Sequence, residues 1–400
     1  GRLFLFSIGG FTFVVFKTYK MNDMKGKQGL VCMGLLLVLS SCHTGKQITA
    51  SGLQRKDFQT EVNGQHTDLF TLSNKQGMEV CITNYGARVV SILVPDRNGK
   101  REDVVCGFST ITEYMEQRQN FGSTVGRYIG RILNARFTLD GVEYKLVPNN
   151  GKSGHISHGG NPGFADRIWK VEQADTHRVR LSYLSPDGEN GFPGNLKVTL
   201  VYSLGEDDNA LDLTYEATTD APTVLNLSHH SFFNISGNFT KSVEDQQLWV
   251  DADRFTPYDD KKCVTGEYLP VAGTPLDFRM PHTIGECIDA DHPQLKVVNG
   301  YDHTWELNTK GDDTRPAAWV YDPASGRKME IFTTEPGMQI YTGNGLKGKM
   351  TGKGGIAYPF RSAVCFETMH FQDSPNQPGF PSTVLRPGEV FRSHTVYKFE

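Results

Sequence analysis

The sequence of 400 residues has little helical periodicity and no run of charge of one sign. Apolar residues seldom recur at the spacing of a helix face, which argues against a helical bundle. The 41 Lys and Arg and the 45 Asp and Glu are interspersed and give a net charge of -4, so the chain lacks the basic stripe that binds a phosphate backbone. We therefore expect no nucleic-acid partner.

Cysteine is also scarce, and its spacing excludes two kinds of stabilising site. The chain has 7 cysteines, two of them near the N-terminus. The others form an odd, widely spaced set that fits neither a disulfide framework nor a zinc site. We expect small core side chains at these positions and leave one disulfide open for an oxidising compartment. The set comprises Cys81, Cys106, Cys263, Cys287 and Cys365.

An apolar run near the N-terminus has the flanks of a secretion signal. Lys25 and Lys27 precede the run, which is followed by "LSSC" ending at Cys42. This pattern resembles a bacterial lipobox, whose cysteine carries lipid after cleavage. We expect residues 1–41 to comprise an upstream segment and a lipoprotein signal peptide. An ordinary signal peptide and an uncleaved anchor are the alternatives.

The segment after this signal is polar and aperiodic, which suits a tether. Residues 42–60 would comprise the lipidated Cys42 and the tether, and residues 61–400 the folded domain. The expectation is a lipid-anchored protein of the cell envelope that faces the periplasm or the cell surface. Its lipid would be its contact with the membrane, and we expect a monomer.

Glycine, proline and aromatic residues are plentiful, and short alternating segments dominate the chain. "ARFTLDGVEYKL" alternates around an Asp-Gly pair at 140–141, which favours a two-residue hairpin loop. Alternating segments also flank turns at 205–209 and 323–326. A helix is predicted chiefly for "STITEYMEQ", with Ser109 or Thr110 as its cap. The predicted fold class is all-β, a large single-domain antiparallel β-sandwich.

Two adjacent histidines lie inside the strand-like stretch "NLSHHSFFNISG". Neighbouring side chains of a strand point to opposite faces, so His229 and His230 cannot both line one pocket. Alternation groups His230 with Phe232, and His229 with Phe233. We expect one ring to be functional and the other to support the structure.

Two further segments carry clustered basic side chains. On a strand, "GRYIGRI" would place Arg127 and Arg131 on one face, with a solvated edge as the alternative. "HISHGG" places His155 and His158 before two glycines, which let a ligand approach the backbone closely. A metal site made of these two histidines and a carboxylate is an alternative, although no typical ligand spacing supports it.

Two carboxylates lie in apolar or aromatic surroundings. "GYDHTW" places Asp302 beside aromatic residues, and "VCFETMHF" places Glu367 inside an apolar run. An ionised carboxylate in such a setting needs partners, or its pKa rises. Both are therefore candidates for functional groups.

Several stretches, in chain order, resemble the aldose 1-epimerase (galactose mutarotase) family from about Asp68 to the C-terminus. They include "NYGARVVSILVPDRNG", "VGRYIGRILNARFTLDG", "NNGKSGHISHGG", "NLSHHSFFNISG", "GYDHTW", "EPGMQIYTGN" and "CFETMHFQDSPNQPGFP". The resemblance implies one antiparallel β-sandwich with a sugar cleft across one face. It also implies interconversion of the α and β anomers of a free monosaccharide such as galactose or glucose, with no metal or organic cofactor.

Carried over residue by residue, the resemblance implies Glu367 as the catalytic base and His230 as the catalytic acid. The residues that it implies for holding the sugar are Arg131, His158, Asp302 and Gln339. The chain departs from the family pattern at three positions. His229 stands where relatives often have Asn and is expected to be the neighbour of His230 on the opposite face. Gly130 also stands where relatives often have Asn, and Phe232 where many have Tyr; these two departures bear on sugar preference rather than on the reaction.

The implied reaction explains why an acid and a base are needed. Opening the sugar ring removes a proton from the C1 hydroxyl and delivers one to the ring oxygen, and each such transfer typically contributes about 10²–10⁴-fold. A charged His230 beside an ionised Glu367 would need a nearby anion or burial effects, and Asp302 is the expected anion. We expect Trp169 or Phe192 to cover a sugar face, with ordinary core packing as the alternative for Trp169.

Three other functions fit the sequence less well. A glycosidase would use two carboxylates as acid and base, whereas here one buried carboxylate accompanies a histidine. A sugar 6-phosphate would require a basic cluster, which nothing beyond Arg127 and Arg131 supplies. A carbohydrate-binding lipoprotein without catalysis would not need both His230 and Glu367.

Overall fold

The computed structural model describes residues 47–400, together with the backbones of two strands at 2–8 and 11–17. These two strands pair with each other in antiparallel register. The predicted upstream segment is described only where these two strands lie. The predicted signal peptide and Cys42 lie outside the described residues. Among the described residues, the helices are all too short or too polar to cross a bilayer.

The described strands are numbered in chain order. They begin with β1 (Arg2–Ile8), β2 (Phe11–Lys17), β3 (Glu61–Val62), β4 (Gln65–His66), β5 (Leu69–Ser73), β6 (Glu79–Thr83), β7 (Arg88–Pro95), β8 (Arg101–Asp103), β9 (Ser123–Val125), β10 (Arg131–Ile132), β11 (Arg136–Leu139), β12 (Val142–Lys145), β13 (Ile156–Ser157), β14 (Lys170–Ala174), β15 (Arg178–Ser185) and β16 (Leu196–Leu204). They continue with β17 (Ala210–Thr219), β18 (Thr223–Val224), β19 (Ser228–His230), β20 (Phe232–Phe233), β21 (Gln247–Val250), β22 (Arg254–Thr256), β23 (Leu269–Pro270), β24 (His282–Thr283), β25 (Asp302–Glu306), β26 (Ala318–Tyr321), β27 (Lys328–Thr333), β28 (Gly337–Tyr341), β29 (Val364–Met369), β30 (Val384–Leu385) and β31 (Phe391–Phe399).

Helical structure is limited to short segments in the described part of the chain. The α-helices are α1 (Ile111–Gln117) and α2 (Pro293–Val298). Single 3₁₀ turns lie at Arg55–Phe58, Leu133–Ala135, Gly151–Ser153, Phe164–Asp166, Glu189–Gly191, Ile284–Glu286, Lys353–Gly355 and Ser374–Asn376.

Three antiparallel sheets form the body of the domain. The largest has nine strands in the order β14-β15-β16-β17-β31-β27-β26-β21-β24. A six-stranded sheet runs β20-β29-β28-β25-β22-β23, and a four-stranded sheet runs β5-β6-β7-β8. Thr44–Glu400 forms a single compact unit. The all-β antiparallel sandwich expected from the sequence is confirmed.

The core lies between the inner faces of these sheets. In β17, Leu211, Leu213 and Tyr215 are buried while the residues between them are partly exposed, as the period of a strand requires. They belong to one apolar cluster with Trp305 and Ile340 of the six-stranded sheet. Each fully buried apolar side chain contributes about 1.5–3 kcal/mol to folding. This cluster therefore fixes the sheet whose other face carries the pocket described below.

The predicted hairpins are present. β11 and β12 are joined by Asp140 (φ 50°) and Gly141 (φ 80°), the positive angles that the Asp-Gly pair favours. The other two hairpins are β16 with β17 and β26 with β27. Helix α1 begins after Thr110, whose hydroxyl accepts from the backbone N–H of Glu113. Helix α2 was missed because its six residues are too few to show a period.

The described part of the predicted tether contacts the rest of the domain. Leu53 and Phe58 are buried, and the backbone N–H of Ala50 donates to the Glu79 carboxylate (2.6 Å), so residues 47–60 pack as part of the domain.

All five cysteines from Cys81 onward are free thiols, and the disulfide left open does not form among them. Four are buried as predicted, whereas Cys287 is partly exposed.

On the nine-stranded sheet, the imidazole of His394 lies between two carboxylates, and this arrangement predicts a pH-dependent stability. His394 Nδ1 lies 2.6 Å from Asp313 and its Nε2 lies 2.6 Å from Asp212. The hydrogen bond to Asp212, reinforced by Asp313 and opposed by burial, raises the pKa of His394 to about 9. Because the folded pKa exceeds the unfolded value, this stabilisation is complete below about pH 6.5 and is lost as the pH rises through about 9.

We expect His394→Gln to lower the free energy of unfolding by about 2 kcal/mol at pH 6, after allowance for solvent screening, and by much less at pH 10. Urea unfolding of both proteins at the two pH values measures this difference. His66→Gln is the control, because that side chain is 78% exposed. An equal loss of stability at both pH values would contradict stabilisation by the contacts of a charged His394 with Asp212 and Asp313.

Candidate active site

Strand register brings three polar side chains into one row. β25, β28 and β29 are neighbours, with Thr304 opposite Gln339 and Gln339 opposite Glu367. Directly opposite residues of antiparallel strands point to the same face, so the three side chains lie side by side. Asp302 and Tyr341 form the next pair on that face. This face of the six-stranded sheet is therefore polar, unlike the core face.

The imidazole of His230 reaches this row from another pair of strands. His230 ends β19, which pairs with β9, and its ring stacks on Phe232 of β20 at 5.0 Å between centroids. Its Nε2 lies 3.3 Å from Oε1 of Glu367. The two side chains are only 7% and 5% exposed, so they meet almost out of contact with solvent.

The remaining predicted residues complete one pocket. Arg131 of β10 pairs with Ser157 of β13, and His158 follows directly with its backbone N–H bound to the Gly130 carbonyl oxygen (2.9 Å). The His158 and His230 ring centroids are 5.5 Å apart. The cavity has a volume of about 250 Å³. All six residues expected from the sequence line it: Arg131, His158, His230, Asp302, Gln339 and Glu367.

Burial pushes the central pair toward its neutral forms. Loss of solvent, and then the charge of Asp302, raise the pKa of Glu367 well above its ordinary value, while Arg131 opposes them. Loss of solvent, and then His158, lower the pKa of His230 well below its ordinary value. Burial therefore opposes the charged form of each member, and because the two groups are in contact they titrate as a coupled pair. The charge of Asp302, expected to support a charged His230, acts instead on Glu367.

The carboxylate of Asp302 is held by an amide. Gln339 Nε2 donates to Asp302 Oδ1 (2.6 Å). The Gln339 carbonyl oxygen accepts from the Thr304 hydroxyl (2.5 Å) and from Gln372 Nε2 (3.3 Å). Burial raises the pKa of Asp302, against the opposing influence of Arg131 and Gln339. Asp302 therefore has a fixed position beside the pair of Glu367 and His230.

His229 points away from the pocket, as strand alternation predicted. Its Nε2 lies 2.7 Å from the Ser231 hydroxyl and its Nδ1 lies 3.4 Å from the Tyr202 hydroxyl, deep between the sheets. Burial lowers the pKa of His229 to about 3, so the ring is neutral. The side chain is a satisfied core histidine, whereas His230 has an Nδ1 without a partner in the described structure.

The prediction that Arg127 and Arg131 share a face is wrong. Residues 126–130 do not form a regular strand, and Arg127 turns into the interior. Its guanidinium donates to the carbonyl oxygens of Ser185, Pro193 and Gly194 at 3.2, 2.7 and 3.0 Å. The alternative of a solvated edge is also wrong, because Arg127 is 2% exposed.

The predicted aromatic cover is wrong as well. Trp169 belongs to the main core cluster, so its alternative assignment is correct, and Phe192 packs in a separate cluster beside Arg127. The aromatic rings that line the cavity are Phe232 and Tyr341. Their positions follow from pairing with β29 and β25, which the sequence did not reveal.

Sequence reasoning also missed two polar groups at the site. Gln372 lines the cavity, and its Nε2 donates to the Tyr258 hydroxyl (2.7 Å). Burial raises the pKa of Tyr258 to about 12, so the phenol is neutral. Neither residue lies in a periodic segment. The signal that could have found Gln372 is its place five residues after Glu367, in a stretch already implicated by the resemblance.

One group of described residues has the composition of a metal site. His230, Cys365 and Glu367 place ligand atoms within 4.8 Å of one another. The histidine pair considered from the sequence does not converge. His155 lies outside the cavity, with Nδ1 accepting from the Asn134 backbone N–H (2.9 Å) and Nε2 3.2 Å from the thiol of Cys263.

A buried carboxyl and imidazole in contact, within a polar cavity on one face of a β-sandwich, define an acid–base site for a small polar ligand. The comparisons with known proteins agree with this class. The aldose 1-epimerase family model matches residues 68–398. The chain therefore belongs to the aldose 1-epimerase family.

Curated relatives and solved structures cover most of the chain. Galactose mutarotase of Sus scrofa is 39% identical over 330 residues, which span 82% of this chain and 93% of that protein. Aldose 1-epimerase of Escherichia coli (strain K12) is 36% identical over 339 residues, 84% of this chain and 96% of the relative. An aldose epimerase homologue from C. elegans superposes with a TM-score of 0.77 at 31% identity, covering 84% of this chain and 99% of that one.

Proposed function

We propose that this chain interconverts the α and β anomers of free aldoses such as galactose or glucose, with Glu367 as the base and His230 as the acid. The observation that carries the proposal is the 3.3 Å contact between His230 Nε2 and Glu367 Oε1 inside a polar cavity. Relatives named galactose mutarotase and aldose 1-epimerase support it.

The reaction needs a group that accepts a proton and one that donates a proton. Glu367 removes the proton of the C1 hydroxyl while His230 protonates the ring oxygen, which opens the ring to the aldehyde. Rotation about the C1–C2 bond exposes the other face of the aldehyde. Reclosure returns both protons and gives the other anomer, so the pair ends in its starting state. No net change in protonation occurs.

The cycle requires the coupled pair to hold one proton when the sugar binds. A pair that holds one proton always contains one donor and one acceptor. A sugar whose C1 hydroxyl donates to Glu367, and whose ring oxygen accepts from His230, favours the ionised arrangement of the pair, because hydrogen bonds to the charged forms stabilise them. Arg131 acts in the same direction on Glu367, since it opposes the rise in pKa.

The other pocket residues orient the sugar. Arg131, His158 and Asp302 line the cavity beside the pair and have the donors and acceptors that sugar hydroxyls require. His158 is neutral, because burial, aided by Arg131, lowers its pKa to about 4, and its Nδ1 lacks a partner in the described structure. Gln339 fixes the Asp302 carboxylate by its 2.6 Å hydrogen bond.

Glu367→Gln tests the base. We expect this variant to bind sugar but to lose about 10²–10⁴-fold in rate, because the amide cannot accept the C1 hydroxyl proton. Polarimetry on freshly dissolved α-galactose, α-glucose, xylose and arabinose measures the rate, and titration calorimetry measures binding. Full activity of the variant would refute Glu367 as the base, and an inactive wild-type protein on every sugar would refute the proposed reaction.

The adjacent histidines give a matched pair of variants. His230→Asn should lose turnover, because it removes the acid. His229→Asn should remain folded and keep its rate within about twofold, while the lost hydrogen bonds lower the free energy of unfolding by about 1–2 kcal/mol. Polarimetry and urea unfolding separate the two effects. Loss of turnover in His229→Asn with His230 intact would show that the roles are exchanged.

We further propose that the protein is a lipid-anchored monomer of the cell envelope. Support comes from the sequence, in which Lys25 and Lys27 precede an apolar run and "LSSC" ends at Cys42. The lipid on Cys42 would hold the domain at the membrane, facing the periplasm or the cell surface. Size-exclusion chromatography with light scattering tests the monomer.

Cys42→Ala tests the anchor in the full-length chain. We expect the wild-type protein in the membrane fraction, with the mass of an acylated cysteine at its N-terminus. The variant should be soluble or unprocessed, since it lacks the thiol that accepts lipid. A wild-type protein of unmodified mass, or a variant that fractionates like the wild type, would contradict lipidation.

A further inference from the structure

At the wall of the cavity, the side chain of Gln372 occupies the space that a side chain on residue 130 would fill. Gly130 has a φ of +75°, and a Cβ added there would lie 2.5 Å from Cγ of Gln372. That separation is far below the contact distance of two carbon atoms. A side chain at residue 130 and the observed position of Gln372 therefore exclude each other. Both residues line the cavity, and Gln372 is 4% exposed.

The orientation of the Gln372 amide is fixed at both ends of a hydrogen-bond chain. Its Oε1 accepts from the backbone N–H of Arg131 (3.3 Å), which can only donate. Its Nε2 donates to Oε1 of Gln339 (3.3 Å), whose own Nε2 faces the carboxylate of Asp302. A flipped Gln372 would place two donors together at Arg131 and two acceptors together at Gln339. The observed orientation is therefore the satisfied one.

The two amides differ in the capacity that they leave for a ligand. Gln339 uses Nε2 on Asp302 and, at 3.5 Å, on the Tyr258 hydroxyl, and it fills both lone pairs of its oxygen with Thr304 and Gln372. Gln372 uses both amide hydrogens, on Tyr258 and Gln339, but among the described residues its oxygen accepts only from Arg131. Because an amide oxygen has two lone pairs, Gln372 keeps one acceptor position at the cavity.

We propose that Gln372 Oε1 accepts a hydrogen bond from a hydroxyl group of the bound aldose and is a specificity-determining contact of the site. Gly130 is required for this contact, because a residue without a side chain at this position leaves the space that Gln372 occupies. The identity of the ligand as an aldose rests on the proposed function. Gln339 is, by contrast, a positioning residue that acts through Asp302.

The test pairs variants with sugars that lack single hydroxyl groups. Gln372→Met keeps the length of the side chain and removes the acceptor. Calorimetric Kd and polarimetric kcat and KM are measured with galactose and with its 2-, 3-, 4- and 6-deoxy derivatives. A hydroxyl bound by Gln372 should be worth about 3- to 10-fold in affinity in the wild-type protein. Gln372→Met should lose that factor for galactose and nothing further for the matching deoxy sugar, with kcat within about twofold.

Gly130→Ala is an independent variant, because it displaces Gln372 while leaving its amide intact. It should abolish the same hydroxyl preference, although strain at a positive φ lowers stability. Gln173→Met is the control for the chemical change, since Gln173 is exposed on β14. Urea unfolding of all variants separates loss of affinity from loss of fold.

The proposal is overturned if Gln372→Met keeps the wild-type ranking of the deoxy sugars, or if it weakens all of them by the same factor, as a merely structural residue would. These outcomes differ from failure of the proposed reaction. A wild-type protein that binds galactose with the hydroxyl preference but interconverts no anomers would refute the reaction and leave the Gln372 contact standing.

Discussion

The removal of one carboxyl and one imidazole from water is the constraint on which the site depends. In solvent, a glutamate titrates near pH 4.3 and a histidine near pH 6.5, each roughly independently of the other. Buried at 3.3 Å from each other, Glu367 and His230 titrate as a coupled pair in which burial opposes the charge of each. The fold must therefore bring two groups from different strands together at one position that is almost out of contact with solvent. β29 carries the carboxyl and β19 carries the imidazole.

A polar network holds the rest of the pocket in register with that pair. It runs from Asp302 through Gln339 and Gln372 to the backbone N–H of Arg131. The network joins the six-stranded sheet to β10, so side chains from separate elements keep their spacing without a bound ligand. An open position in a buried network of this kind costs free energy. The remaining open position, on Gln372, is thus informative about what the cavity receives.

The sequence predicts the parts of this structure that depend on local chemistry. The hairpin at 140–141 and the opposite orientation of His229 and His230 follow from turn preference and from the period of a strand. Arg127 was misplaced because the backbone leaves the strand conformation before Arg131. The position of Gln372 was beyond local reasoning, since it lies after the end of β29 and is fixed by contacts with distant strands.

Residual hydrogen-bond capacity distinguishes the two adjacent histidines, and also the two glutamines that line the cavity. The two arginines are separated by position instead: the terminal nitrogens of Arg127 donate to carbonyl oxygens of the 185–194 segment and its Nε has no partner among the described residues, whereas Arg131 lines the cavity and donates to the Lys262 carbonyl oxygen (3.4 Å). His229 has partners at both ring nitrogens, and His230 retains an Nδ1 without one in the described structure. The same criterion distinguishes the two glutamines. Of the two histidines, the one with capacity left over faces the cavity, because an unsatisfied buried polar group costs about 1–3 kcal/mol and persists most readily where a ligand can satisfy it.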